Sequence, residues 1–141
     1  MVKLKPLKIT FESMDDFKAR ARKAVQDAVQ RGKKSIQQKD VLVWSSVEAY
    51  QQFMSDQKYT ILAAIYKYQP QSVYQLAKIL NRAQQNVARD CDLLSEHGFI
   101  KFEESEEGRK TKAPRLAFDY NAIMVRLPSV TYKVEFEDAA A

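Results

Sequence analysis

Apolar positions change their spacing several times along this chain, and each change marks an element. Residues 1–12 alternate, with Leu4, Leu7 and Ile9 set against Lys3, Lys5 and Lys8, and read as extended chain. Ser13 can cap a helix whose first turn holds Asp15 and Asp16, where the helix dipole favours acids. Phe17, Ala21, Ala24, Val25 and Ala28 form its apolar stripe, and it is expected to end between Gln30 and Gly32. A polar connector, 32–39, leads to a short apolar strand, Val41–Trp44. Ser46 opens a short helix with Val47, Tyr50 and Phe53 on one face. Ser55 caps a longer helix that runs to Tyr68 with Ile61, Leu62, Ile65 and Tyr66 inward. Gln69, Pro70 and Gln71 break it.

The stretch from Ser72 to Lys112 carries the most information. Ser72 followed by Gln75 is a capping-box pattern. Val73, Leu76, Ala77 and Leu80 then fall on one helical face, and Asn81 suits a left-handed turn. A second helix is predicted from Arg82 or Ala83, with Val87, Cys91 and Leu94 inward and Gly98 at its end. The alternation from Phe99 to Glu104 predicts a strand, and Pro114 to Phe118 its returning partner. Between them lies a tip with Gly108, Arg109, Lys110 and Lys112. Helix, turn, helix and basic-tipped hairpin, in that order, predict a winged helix-turn-helix, whose second helix enters a DNA major groove. Arg82, Gln84, Gln85, Asn86 and Arg89 are the expected contacts on that helix, because Arg pairs with guanine and Gln or Asn with adenine. Ser72 at the first helix's start, and Arg109, Lys110 and Lys112 at the tip, are the expected backbone contacts. The bland alternative treats the same residues as a solvated helix face and an ordinary turn.

Beyond the hairpin, Tyr120 to Leu127 is an apolar segment. Val130, Tyr132, Val134 and Phe136 then alternate with Thr131, Lys133, Glu135 and Glu137, the period of a half-buried strand. This last strand could pair with Leu4–Ile9, in the same chain or in a second copy. Three segments result: 1–40, a strand and a basic amphipathic helix for dimerisation or a partner; 41–127, the winged helix-turn-helix; and 128–141, a terminal strand and tail. The expected fold class is mainly α with a small β wing.

Charge alters this picture in one respect. The chain of 141 residues carries a net charge of +5, and residues 1–40 alone hold eleven Lys and Arg against five Asp and Glu. The basic excess therefore sits in the N-terminal segment and not in the candidate DNA reader. Enzyme chemistry finds little support. There is one histidine, His97, and one cysteine, Cys91 on an apolar helix face. No metal-ligand spacing, phosphate-cradling glycine loop or nucleophile elbow is present, so no cofactor is expected. A single cysteine fits a reducing cytoplasm, and no apolar run is long enough to span a membrane.

The residues from Trp44 to Tyr50, Asp56 to Leu62 and Gln75 to Ala77 carry a resemblance, as do Asn81-Arg82, Val87 to Asp90, Leu94 and Gly98 to Ile100. Together with Glu107 to Arg109, Pro114 and Phe118-Asp119, they resemble small predicted transcriptional regulators of the MarR-like winged helix kind. The resemblance covers about residues 41–127. It implies operator binding, as a repressor and usually as a homodimer, through Arg82, Gln84, Gln85, Asn86 and Arg89 with Arg109, Lys110 and Lys112. Some relatives of that kind are described as antitoxins, which implies a second reading, a module that masks a toxin-like protein partner. Charge discriminates between the two. Arg82 and Arg89 exposed on one positive face with Lys110 would favour double-stranded DNA; salt bridges to Asp90, Asp92 or Glu96 would favour a protein.

Overall fold

The computed structural model describes residues 3–31, 40–105, 108–127 and 131–136. They form an α+β fold. In chain order the elements are β1 (Pro6–Phe11), α1 (Met14–Arg31), β2 (Val41–Trp44), α2 (Val47–Phe53), α3 (Asp56–Tyr68), α4 (Val73–Leu80), α5 (Gln84–Glu96), β3 (Ile100–Ser105), β4 (Gly108–Leu116), β5 (Ala122–Arg126) and β6 (Thr131–Glu135).

Serines start the helices as their positions predict. Ser13 accepts from the Asp16 amide at 3.1 Å, Ser46 from Ala49 at 3.1 Å, Ser55 from Lys58 at 3.3 Å and Ser72 from Gln75 at 3.0 Å. Each bond satisfies an amide that has no partner within its own helix. The Gln75 side chain completes the pattern one residue early, accepting from the Gln71 amide at 2.8 Å. Asn81 takes the left-handed conformation (φ 53°), which ends α4 and turns the chain into α5. Gly98 follows α5 with φ +86°, and a Cβ at this position would lie 3.3 Å from Leu42 Cδ2. Gly98→Ala is therefore expected to cost about 1–2 kcal/mol, from left-handed strain and crowding against Leu42. Urea unfolding measures this, and a loss below about 0.5 kcal/mol would refute it.

The expected hairpin is present as β3 and β4, paired antiparallel from Ile100↔Leu116 to Ser105↔Gly108. A second sheet goes beyond the expectation of a single small wing. It is mixed and four-stranded, in the order β2-β1-β5-β6, with β1 parallel to both β2 and β5 and β6 antiparallel to β5. The expected pairing of the N-terminal strand with the last strand within one chain is therefore corrected. β1 is filled on both sides by β2 and β5, and β6 lies on the far edge of β5. The physical reason is the match of apolar rows: Leu7 lies beside Ile123, and Ile9 beside Leu42 and Val125. Leu7, Ile9, Ile123 and Val125 are all fully buried, so this register puts four branched side chains into the core. The sheet draws strands from all three sequence segments.

Asn121 ties the sheet's ends together. Its side chain accepts from the Lys5 amide at 2.8 Å and donates to the Lys3 carbonyl at 2.9 Å, while its carbonyl accepts from the Phe136 amide at 3.3 Å. Buried amides that meet backbone groups on both sides specify a register, since slippage would strand them. Tyr120 joins the sheet to the helical part. Its hydroxyl donates to the Phe99 carbonyl at 2.7 Å inside the core. The core itself is formed by Ile61, Leu62 and Ile65 of α3, Leu76 of α4, Val87, Cys91 and Leu94 of α5, and Phe99.

Candidate nucleic-acid interface

Helix α5 is amphipathic in a way that leaves one end chemically open. Val87, Cys91 and Leu94 are wholly buried, and they hold the helix against α3 and α4. Gln84, Gln85, Asn86 and Arg89 are exposed at its N-terminal half, whereas Asp92 and Glu96 are exposed further along. Gln85 and Arg89 are one helical turn apart, and Asn86 neighbours Arg89 three residues on. The outer face therefore changes from amide and cationic groups at its start to acids at its end. Ala83 occupies the cap position and provides no side-chain hydrogen bond. The leading amides of α5 are thus left without a side-chain cap, unlike those of α2, α3 and α4.

Arg82 differs from its expected place as an outward-facing contact. It precedes α5, and its Nη2 donates to Asp90 Oδ2 at 3.0 Å and to Gln57 Oε1 at 3.3 Å. The Arg82 and Asp90 side chains are only 20% and 16% exposed, and Arg82 Nη1 is buried without a hydrogen-bond partner. One guanidinium thus links the turn, α5 and the start of α3. Asp90, one turn after Asn86, reaches back to fix it. Ser72 also has an assigned task, since its hydroxyl accepts from the Gln75 amide as the cap of α4. Lys112 is exposed on β4. Arg109 and Lys110 lie on the same strand, but their side chains fall outside the described residues. Of the candidate contacts, Gln85, Asn86 and Arg89 share the face of α5 turned away from the core, and Gln84 is exposed at the helix start. Arg82 is drawn away from it into an ion pair.

The hairpin's place is set by a residue that the sequence pattern did not single out. Arg115 Nη1 donates to the Pro70 carbonyl at 2.6 Å and to the Pro114 carbonyl at 2.8 Å. This binds β4 to the loop between α3 and α4. Gln57, Arg115 and Asn121 are the structural polar residues that sequence reasoning missed, whereas Asp90 is one of the three acids expected to compete for Arg82. These three act across long sequence separations, where no local spacing signals them. The far end of α5 is held by aromatic packing. The His97 ring stacks on Trp44, with centroids 5.1 Å apart, and contacts Phe53 at 4.2 Å; its Nδ1 lies 3.0 Å from the Leu93 carbonyl. These contacts connect the end of α5 to β2 and α2.

Cys91 is buried, and burial pushes its thiol up to about 12, with the negative charges of Asp90 and Asp92 adding to the shift. It is accordingly a thiol, not a thiolate, throughout the neutral range. Thiol-specific labelling at pH 8 is expected to proceed only as fast as the protein opens, and to accelerate in urea. Immediate labelling of the folded chain would contradict this. Among the described residues, no group of three His, Cys, Asp or Glu side chains could hold a metal ion. No described helix is long and apolar enough to cross a membrane.

An α+β chain with an exposed amide-rich helix start and a two-stranded hairpin is the class of protein these observations define. The HVO_A0114 family model matches residues 53–125, more than half of the chain, and the chain belongs to that family. The match runs from Phe53 to Val125, so it spans α3 to α5, the hairpin and nearly all of β5. It leaves out β1, α1, β2, all of α2 but Phe53, and β6. No curated protein and no solved structure matches the chain.

Proposed function

We propose that this protein is a sequence-specific DNA-binding transcriptional regulator of the winged helix-turn-helix kind, acting as a repressor in the cytoplasm. The observation that carries the reading is the N-terminal half of α5. Gln85, Asn86 and Arg89 project from a helix whose opposite side is locked into the core by Val87, Cys91 and Leu94, and Gln84 is exposed at its start. Rigid presentation of amide and guanidinium groups at a helix start is what bidentate base contacts need. The uncapped amides of α5 add a favourable position for a phosphate. Lys112 contacts the backbone from the hairpin, with Arg109 and Lys110 as further wing contacts. In this reading α4 is the positioning helix, α5 the recognition helix and β3–β4 the wing. Arg82 positions α5 through Asp90 and Gln57. The homodimer implied by the resemblance to MarR-like regulators belongs to the same proposal.

Binding to a fragment of the protein's own upstream DNA, with a scrambled fragment as competitor across a salt series, tests it. The expected result is preference for the upstream fragment with affinity that falls steeply as salt rises. Equal weak binding to both fragments would refute sequence-specific reading. A second reading, a winged helix that binds a protein as an antitoxin would, is favoured by two observations. Arg82 is paired with Asp90, and the exposed acids Glu103 and Glu104 on β3 would repel a phosphate backbone. Co-purification of a stoichiometric protein partner, with no retention of the DNA fragment, would support that reading instead.

A further inference from the structure

Helix α1 lies outside the family match and is the least covered element of the fold. It is 18 residues long, about 27 Å at 1.5 Å per residue, and none of its described side chains is buried. Met14 is 60% exposed, Phe17 42% and Val25 49%. A single helix of this length is marginal in water unless an apolar face is packed, so this face calls for a cover.

The pattern on the helix identifies that cover. Met14, Phe17, Ala21, Ala24 and Ala28 follow one another at intervals of three and four, the seam of a two-helix coiled coil, with Val25 on its flank. Ala28 enters here by its position alone, since its side chain is outside the described residues. The charged residues next to the seam are Lys18, Arg20 and Asp27. Arg20 is held beside the seam, its Nε 3.1 Å from Glu12 Oε2 and its guanidinium over the Phe17 ring at 5.5 Å.

We propose that α1 pairs with α1 of a second copy of this chain, antiparallel, about a two-fold axis between Ala21 and Ala24. In that register Ala21 meets Ala24 of the other copy, and position 17 falls opposite position 28. Arg20 then faces Asp27 across the seam, and the two-fold axis repeats that pair on the other side. The parallel arrangement places Arg20 beside Val25 and leaves no acid opposite any base. Charge complementarity thus selects a second copy and an antiparallel sense. The small residues let the two helix axes approach closely. This pairing deepens the reading above by naming the surface that joins two readers, and it is tested without DNA, so its failure and that of DNA binding are separable.

Sedimentation equilibrium of the full chain reads the outcome. The unaltered protein is expected to be a dimer at micromolar concentration. Asp27→Arg is expected to raise the dimer dissociation constant by about tenfold or more, and Arg20→Asp with Asp27→Arg in one chain to restore most of it. Phe17→Glu is expected to give monomers whose near-ultraviolet dichroism, which reports the packed aromatic core, is unchanged, because the position lies on α1 and outside the core. A monomeric unaltered protein would overturn the proposal. So would a dimer unaffected by Phe17→Glu, or a double variant no better than Asp27→Arg alone.

Discussion

The variant Gln84→Ala/Gln85→Ala/Asn86→Ala is expected to bind an operator fragment no more tightly than a scrambled one. All three side chains are exposed on the first turn of α5, so their removal leaves the core packing of Val87, Cys91 and Leu94 intact. The loss should therefore fall on recognition and not on folding. Each bidentate base contact is worth about 1–3 kcal/mol of discrimination. Removing two such base pairings together would lower specific affinity by about a hundredfold or more. Non-specific binding, which comes from the phosphates, should be nearly unchanged in size and salt slope. Arg89→Ala would separate the two roles open to that residue. A uniform loss on all sequences marks a phosphate contact, whereas relaxed specificity at one position marks a base contact. Unchanged preference in the triple variant would remove α5 as the reader.

The second large effect is expected at Asp90. Replacing it by alanine leaves the Arg82 guanidinium, four-fifths buried, with the Gln57 side chain to bond to and no carboxylate beside it. Removing one member of a largely buried charged pair costs more than the pair contributes, because the other charge stays desolvated. A loss of about 2–3 kcal/mol is expected, between the values for exposed and fully buried pairs. Arg82→Ala should cost less than Asp90→Ala, since it removes both the cation and the buried Nη1 that has no partner. In the double variant the two losses should not add. Chemical denaturation of the three variants completes this double-mutant cycle, and additive losses would show that the pair does not couple. DNA binding by Arg82→Ala distinguishes a positioning residue from a base contact. A positioning residue would weaken binding to all sequences through a displaced α5; a base contact would relax specificity at one place.

The local elements are largely legible in residue order. Ser13, Ser46, Ser55 and Ser72 each start a helix, Asn81 and Gly98 each end one, and alternation from Phe99 marks β3. All of these depend on short-range physics, a side-chain oxygen reaching an amide three residues on or a backbone angle that few residues tolerate. The exposed set on α5 is legible for the same reason, since helical periodicity separates Val87, Cys91 and Leu94 from Gln85, Asn86 and Arg89. The inward turn of Arg82 is only half legible, because the pattern offers Asp90, Asp92 and Glu96 as partners without choosing among them. Asp90 lies eight residues away and Gln57 twenty-five.

Sequence alone determined, to within about two residues, where the helices begin and end, and it determined which faces are apolar and that the basic excess lies before residue 41; β5 and the first half of β4 were not legible in it. Those properties follow from composition and from periods of two and 3.6 residues. The tertiary structure alone decided that β1 sits between β2 and β5, that β6 lies on the outer edge, that Arg115 fastens the hairpin to the α3–α4 loop, and that Arg82 turns inward to Asp90. Each of these depends on groups brought together across long stretches of chain, such as Lys5 and Asn121, which are 116 residues apart. Local patterns carry no information about which distant strand fills an edge. That choice is made by the combined burial of Leu7, Ile9, Ile123 and Val125 and by the backbone groups that Asn121 satisfies.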